Sequence, residues 1–323
     1  MLFVTNRFPT QSIRTRKGRR FTFDLDNNAP SNSVFYCEKG EDEHHTEITS
    51  KELLKRVRES EYRQVLIFLH GFNNLPDDVF RMTSELQSLC DKAKAKETLV
   101  LPLIWPCDND KGVVKDYWDD QKSADQSGFS FARVLERFLD WRESPDNEPN
   151  AAPCLKRINV LAHSMGNRVL RQTLSNWNRY DLASGVPLLF RNTFMVAADV
   201  VNETVHEGES GVLISHASRN VVVYYASDDL ALRASKAANL KNKVASRRLG
   251  HTGPENTDST PRNVFQVDCD DVNTRYDPPT GHNYFRFGTR RGQAGLVFKH
   301  IFECIEKGRV FPDDPHQRSV ILN

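Results

Sequence analysis

Residues 158–166, with the sequence INVLAHSMG, lead from a short apolar segment into a serine between small residues. Ala162 and Gly166 stand two positions before and after Ser164, and a helical pattern begins at residue 167. A strand that turns sharply into a helix with a serine at the tip is a nucleophile elbow, and its tight turn needs small residues at these two positions. We therefore expect Ser164 to be a nucleophile on a sheet with packed helices. An ordinary strand-to-helix turn is the alternative.

Apolar segments alternate with helical patterns along most of the chain. Residues 65–69 form a continuous apolar run, typical of a strand buried on both faces, and further strand-like segments stand at residues 98–104, 193–198, 221–225 and 264–267. Helical periodicity covers residues 77–94, 123–141 and 295–306. This alternation predicts an α/β fold, with a mostly parallel central sheet and helices on both faces.

The first 50 residues have a different pattern. Short β-like segments at residues 2–7, 21–23 and 34–36 are separated by polar turns and predict antiparallel strands at the sheet edge. Polar loops are expected at residues 106–122, 144–153 and 247–262. None of these loops divides the chain clearly. We therefore predict a single domain over residues 1–323, with edge strands and a lead-in helix in 1–60, a catalytic core in 65–310 and a C-terminal tail in 311–323.

The composition excludes several classes of protein. A net charge of +1 gives no overall attraction to nucleic acid or to anionic membranes. The six cysteines are scattered without a CxxC pair, which favours free thiols in a reducing compartment over disulfides or a zinc site. Residues 2–7 resemble a strand more than a signal peptide, and no segment approaches the roughly 18 apolar residues of a membrane span. We expect a soluble cytoplasmic protein.

A serine hydroxyl needs a general base, and the base needs a residue that orients it. In a nucleophile-elbow sheet these follow the serine in the order acid, then histidine. His282 lies in the turn-rich loop PPTGHNY after the last predicted strand, and such loops carry the chemistry of parallel sheets. His282 is therefore the expected base, with His251 as its rival.

The acid is expected after the strand at residues 221–225. Asp228 and Asp229 both follow this strand, and either could reach the histidine. We favour Asp229. Asp199, at the end of the preceding strand, is the other alternative, although an aspartate there can also cap a helix or support a loop.

The dipeptide His70-Gly71 closes the first buried strand. A glycine there lets the chain turn so that an amide N–H can face a reacting carbonyl. The expected oxyanion donors are the N–H groups of Phe72 and of Met165, which directly follows the serine. We expect His70 to hold the loop by hydrogen bonding and to take no part in proton transfer.

Together these residues resemble the α/β-hydrolase superfamily and, more narrowly, its bacterial serine hydrolase family of unknown function, DUF900. The similarity rests on segments in the same order from residue 4 to about residue 300: VTNR (4–7), FLHGFNN (68–74), IWP (104–106), YxxDxxSA (117–124), HSMGNR (163–168), ADV (198–200), SDDLAL (227–232) and GHNYF (281–285). The resemblance implies an α/β-hydrolase fold and a triad of Ser164, Asp229 and His282. It implies no settled substrate.

Two charged segments have simpler explanations than binding sites. Residues 14–20 hold five basic residues in seven, which could attract nucleic acid but is more typical of a solvated turn between edge strands. An acidic cluster near Trp118 lacks the histidine that usually accompanies carboxylates in a tight metal site. With Tyr117 and Trp118 it is expected to form a wall or lid of the pocket. The cluster comprises Asp108, Asp110, Asp116, Asp119 and Asp120.

The sequence therefore predicts a serine hydrolase that cleaves carboxylic esters through an acyl-enzyme, as an esterase or lipase does. A thioesterase or acyltransferase would use the same triad. A hydrolase-like binding or effector protein without activity is the alternative from another class. The expected partner is a small-molecule or lipid ester; no cofactor or metal is required, and nucleic acid is not expected to bind.

Overall fold

The computed structural model describes residues 1–108, 110, 112–143, 154–180, 185–240, 247–314 and 316–323. Within these residues eleven strands form one sheet. The strands are β1 (Leu2–Arg7), β2 (Arg20–Phe21), β3 (Pro30–Lys39), β4 (His45–Ile48), β5 (Gln64–Leu69), β6 (Thr98–Ile104), β7 (Arg157–His163), β8 (Phe190–Val196), β9 (Ser218–Tyr225), β10 (Val264–Asp268) and β11 (Ser319–Ile321).

Helices connect most of the central strands. They are α1 (Ser50–Glu59), α2 (Pro76–Ala93), α3 (Val113–Glu143), α4 (Gly166–Tyr180), α5 (Leu213–His216), α6 (Leu230–Leu240), α7 (Leu249–Thr252), α8 (Asn273–Tyr276) and α9 (Leu296–Lys307). Two 3-10 turns cover Ser210–Val212 and Thr257–Ser259. Among the described residues, no helix is both long enough and apolar enough to span a membrane.

The centre of the sheet is parallel. Its strand order is β11-β10-β9-β8-β7-β5-β6-β1-β3-β4-β2, and the strands from β11 to β1 pair in parallel. The pairs β1–β3, β3–β4 and β2–β4 are antiparallel. The predicted mostly parallel sheet with antiparallel N-terminal strands is thus confirmed. Residues 319–321, in the segment predicted as a tail, add the parallel edge strand β11.

The continuous apolar run of β5 is explained by burial on both faces. Every residue of β5 is buried, and successive side chains enter opposite cores because a strand alternates sides. Ile67 packs into the core that holds Phe131 of α3, whereas Phe68 packs into the core that holds Leu86 of α2 and Ile301 of α9. Helices therefore cover both faces of the sheet, as predicted.

Helix α3 begins ten residues earlier than predicted. The segment 106–122 was expected to be a loop, but the helix starts at Val113. Its first turns bury Tyr117, Asp120, Gln121 and Ala124, which lie on one helical face. Because polar residues form half of this buried face, apolar periodicity does not reveal it. Within the predicted loop 247–262 the chain forms α7 and a 3-10 turn, and the predicted loop 144–153 lies outside the described residues.

Candidate active site

Ser164 occupies a sharp turn between β7 and α4. Its φ angle of 52° is in the left-handed region, which costs free energy for a residue other than glycine. The Ser164 N–H donates to the carbonyl of Val196, the last residue of β8. The Ser164 carbonyl accepts from the N–H of Asn167, in the first turn of α4. The side chain of Asn167 donates to the carbonyls of Ala162 and Ser164, at 2.8 and 3.1 Å. These bonds hold the strained turn.

The glycine at position 166 is required by close packing of α4 on β5. A Cβ atom added at Gly166 would overlap the Leu69 carbonyl oxygen and would lie 2.7 Å from that of His70. Ala162 is fully buried. The small residues around the serine therefore reflect the limited space at the carboxyl ends of β5 and β7.

His282 and Asp229 form a buried pair. Nδ1 of His282 donates to Oδ2 of Asp229 at 2.7 Å, and the aspartate side chain is fully inaccessible to solvent. The other oxygen, Oδ1, accepts from the N–H of Leu232 in the first turn of α6 at 3.0 Å. Burial lowers the pKa of His282, but the charge and hydrogen bond of Asp229 outweigh it, so the pKa is raised above 6.5. Since Nδ1 carries the bonded proton, Nε2 is the nitrogen that can accept one.

The alternative residues have other neighbours. The Asp228 carboxylate accepts a hydrogen bond from Asn273. Asp199 accepts from Tyr117 at 2.9 Å and forms an ion pair with Arg248 at 3.3 Å. Within the described residues, neither oxygen of Asp229 is hydrogen-bonded to His251.

Asp277 holds the loop that carries His282, and sequence reasoning missed it. Its Oδ2 accepts the backbone N–H groups of His282 and Asn283, each at 2.8 Å. Gly281, which directly precedes His282, has a φ of 64°, and a Cβ at this glycine would approach the Asn273 side chain too closely. The only sequence signal was an aspartate a few residues before a Gly-His turn, a pattern that many ordinary loops share.

His163 supports His282 from the elbow strand and was also missed. Its Nε2 lies 3.0 Å from the carbonyl of His282, and the two rings are 4.8 Å apart. Full burial lowers the pKa of His163 well below 6.5, and the nearby His282 lowers it further. A neutral His163 therefore donates one hydrogen bond to the backbone of the proposed base.

The loop after β5, residues 70–74, lies directly over Ser164. A Cβ added at Gly71 would be 3.0 Å from Cβ of Ser164, so a larger residue would press on the Ser164 side chain. Within the described chain, the N–H groups of Phe72 and Met165 donate to no protein acceptor in the hydrogen-bond pattern. Two free N–H groups beside the serine suit an oxyanion hole.

His70 holds this loop, as its position in the sequence indicated. Its Nδ1 donates to the Gly71 carbonyl at 2.9 Å, and its Nε2 accepts the Trp105 N–H at 3.2 Å. The imidazole stacks on the Trp105 ring at 5.1 Å. Burial lowers the pKa of His70 to about 4, so the ring stays neutral at physiological pH and keeps this one tautomer.

Ser164 and His282 line the same cavity, which has a volume of about 140 Å³. Its walls are mainly apolar and include Phe72, Leu232 and three alanines of α6. Tyr117 also lines it, as expected of the segment predicted to form a wall, and Trp118 packs edge-on against Tyr117.

Three polar groups in the cavity wall, Tyr117, Asp199 and Ser235, are hydrogen-bonded to one another. The Tyr117 hydroxyl accepts from Gln121 and Asn239, each at 2.8 Å. The same oxygen lies 2.9 Å from Asp199 and 2.7 Å from Ser235. With its oxygen and its proton both engaged, this hydroxyl has no free bond to offer a ligand.

Among the described residues, no charged side chain of either charged segment lines the cavity. Oxygens of Asp108, Asp110 and Asp116 lie within 4.8 Å of one another; Asp108 and Asp116 are buried, and Asp110 is exposed. In the basic segment, Arg19 is paired with Glu47 at 2.5 Å, whereas Arg14 is exposed.

Comparison with known proteins matches residues 45–286 of the chain to a family described as "Alpha/beta hydrolase of unknown function (DUF900)". The matched residues include the elbow, the loop after β5, and the loops that carry Asp229 and His282. A search of curated proteins found no match.

Proposed function

Since the chain belongs to the DUF900 family of alpha/beta hydrolases, we propose that it cleaves carboxylic esters with a Ser164–His282–Asp229 triad. The observation that carries this proposal is the 2.7 Å bond between His282 and buried Asp229, in a cavity that His282 shares with the strained Ser164. A serine, a base and a buried acid at the carboxyl ends of parallel strands are the parts that acyl transfer needs.

In the proposed reaction, Oγ of Ser164 attacks the ester carbonyl carbon while Nε2 of His282 takes the hydroxyl proton. The carbonyl oxygen becomes an oxyanion, which the N–H groups of Phe72 and Met165 bind. Collapse of this intermediate breaks the bond to the alcohol oxygen, and His282 returns the proton to the leaving alcohol. Water then attacks the acyl-enzyme by the same steps, which release the acid and restore the serine.

The cavity supports an ester with a short apolar acyl group. A cavity of about 150 Å³ holds a benzene-sized molecule, so the 140 Å³ here accommodates about six carbon atoms. The engaged Tyr117 hydroxyl favours an apolar chain, because a polar chain would lose hydrogen bonds to water without replacing them. A thioester or an acyl acceptor other than water would use the same groups.

The test is labelling of the purified chain by a fluorophosphonate, a reagent that reacts with activated serines, followed by intact mass. We expect one adduct on wild type, none on Ser164→Ala and little on His282→Ala. His251→Ala is the matched control and should label like wild type. A labelled wild type then justifies a screen of oxygen esters and thioesters with acyl chains of two to about ten carbons.

The possible outcomes distinguish the proposed hydrolase mechanism from its alternatives. Ester turnover that persists in clean Ser164→Ala would contradict the mechanism, and loss of labelling in His251→Ala alone would make His251 the base. A folded wild type that takes no adduct would favour the binding or effector protein.

A further inference from the structure

A buried carboxylate of helix α3 supports the oxyanion loop, residues 70–74. Asp120 in α3 is fully buried, and its Oδ2 accepts the Asn73 N–H at 2.8 Å. Its Oδ1 accepts the Asp108 N–H at 3.1 Å and the side-chain amide of Asn28 at 2.8 Å. Asp120 therefore ties the oxyanion loop to α3 and to two further loops.

These contacts act on the peptide groups on either side of Phe72. A peptide group is planar, so fixing its carbonyl also fixes the direction of its N–H. The Gly71 carbonyl, which shares a plane with the Phe72 N–H, accepts from His70 at 2.9 Å and from Asn74 at 3.1 Å. The next plane is held at both ends, because Asn74 donates to the Phe72 carbonyl at 2.8 Å and Asp120 accepts the Asn73 N–H.

The peptide group between Phe72 and Asn73 is the less stable of the two, because of the backbone conformation of Asn73. Its φ of 60° is left-handed, a conformation that Asn tolerates but that still costs free energy. The bond from its N–H to Asp120 offsets that cost. Without the bond, the peptide between Phe72 and Asn73 is held only at its carbonyl, by Asn74, so the left-handed turn at Asn73 can relax and the backbone of Phe72 can shift with it.

We propose that Asp120 is a positioning residue for the reaction: by accepting the Asn73 N–H it keeps the Phe72 N–H directed at the oxyanion. This inference rests on the proposed ester hydrolysis and assigns Asp120 no contact with the substrate. The energetic premise is general, since an oxyanion donor acts only if it is held in place before the charge develops.

The hydrogen-bond donors around Asp120 favour the ionised carboxylate, whereas its burial opposes ionisation. Burial raises the pKa of Asp120 to about 6, although the N–H bonds from Asn73 and Asn28 oppose that shift. The charged and titratable groups around it are Arg7 of β1, Cys107 and Asp108. At neutral pH the carboxylate is therefore mainly ionised and can accept all three N–H groups.

Asp120→Asn removes the bond to the oxyanion loop selectively. Oδ1 accepts two hydrogen bonds and Oδ2 only one, so the amide oxygen is best placed at the Oδ1 position. The amide NH2 then faces the Asn73 N–H, donor against donor. Asn28→Ala is the matched control, because it removes a partner of Asp120 without touching the loop.

The experiment measures steady-state hydrolysis of a short-chain ester and inhibition by a short-chain trifluoromethyl ketone, which forms a tetrahedral oxyanion on an active serine. For folded Asp120→Asn we expect kcat to fall about tenfold or more and KM to change less than about twofold. The inhibition constant of the ketone should rise by a factor similar to the loss in kcat. Asn28→Ala should change all three values less than about threefold.

A purely structural role would lower the melting temperature of Asp120→Asn but leave kcat and the ketone constant of the folded enzyme unchanged; that result would overturn the proposal. Should Asp120→Asn not fold, Asp120→Glu displaces the carboxylate by one methylene and is expected to show the same paired losses, whereas unchanged values would overturn the proposal. Failure of wild type to react with a fluorophosphonate would instead contradict the proposed ester hydrolysis.

Discussion

Asp229 has two hydrogen bonds that together determine the proton positions on His282. Oδ1 accepts the Leu232 N–H and Oδ2 accepts Nδ1–H of His282. In Asp229→Asn the amide oxygen is needed at the Leu232 N–H, so the amide NH2 faces the imidazole. Nδ1 must then be an acceptor and Nε2 carries the proton, which makes Nε2 unable to accept one from Ser164. We expect kcat to fall by about 10³ to 10⁴.

The same substitution should move the pH dependence of the enzyme. In wild type the base must be neutral, and its raised pKa places the acidic limb of kcat/KM above pH 6.5. Asp229→Asn removes the charge that raises this pKa and leaves the burial that lowers it, so the midpoint should shift to lower pH. Asp228→Asn is the control, because Asp228 contacts Asn273 and not His282. An equal effect of the two substitutions would contradict the assignment.

At the residue scale, the site predictions made from the sequence were limited to residues whose chemistry follows from a motif. Ser164 stands in a turn that needs small neighbours, and the order of strands directed attention to Asp229 and His282. Asp277 and Asp120 could not be predicted in this way. Each acts by accepting backbone N–H groups, and for Asp120 one such group lies 47 residues away along the chain. The segment YxxDxxSA at 117–124 contains Asp120 but does not indicate its partners, and nothing in the local sequence distinguishes Asp277 from a solvated surface aspartate.

At the scale of elements, the substitution Gly166→Ala tests whether the elbow depends on the close packing of α4 on β5. In Gly166→Ala the new Cβ would overlap the Leu69 carbonyl and approach that of His70, so the helix must shift outward. We expect a loss of roughly 1–3 kcal/mol in the free energy of unfolding, as in other overpacked sites. Because α4 begins directly after Met165, the rate of fluorophosphonate labelling should also fall. Urea denaturation and labelling kinetics measure the two effects.

Gly288→Ala is the control for this substitution. A Cβ at Gly288 would meet its nearest atoms at 3.6 Å or more, which is ordinary van der Waals contact. Its unfolding free energy and labelling rate should remain close to those of wild type. If Gly166→Ala behaved like Gly288→Ala, close helix–strand packing could not be the reason for the small residue at position 166.

A strand or helix could be predicted from the sequence where its buried faces are apolar, and not where a buried face contains polar residues. The central strands were found to within a few residues because both of their faces are apolar. The start of α3 was missed because its buried face contains Asp120 and Gln121, whose burial depends on hydrogen bonds to distant segments. A helix face of this kind has no apolar stripe, and only the folded structure shows where its polar groups are bonded.

At the scale of the whole molecule, Arg7 links the N-terminal strands to the half of the sheet that carries the site. Strand β1 pairs with β3 on one side and with β6 on the other, so the N-terminal strands extend the central sheet. The Arg7 side chain is fully buried at the end of β1. It donates to the Cys107 carbonyl at 2.6 Å and to the carbonyls of Asp24 and Leu25, each at 2.9 Å.

Arg7→Met should therefore destabilise the whole fold. The substitution keeps an unbranched side chain but leaves the buried Cys107 carbonyl without its donor, and it removes two charge-assisted bonds to the 24–25 turn. We expect the free energy of unfolding to fall by about 2–4 kcal/mol in urea denaturation. Arg14→Met removes the same charge from the exposed basic segment and should change it by less than about 0.5 kcal/mol. If both variants lost equal stability, net charge would be the cause. If neither did, the N-terminal strands would contribute little to the cohesion of the sheet.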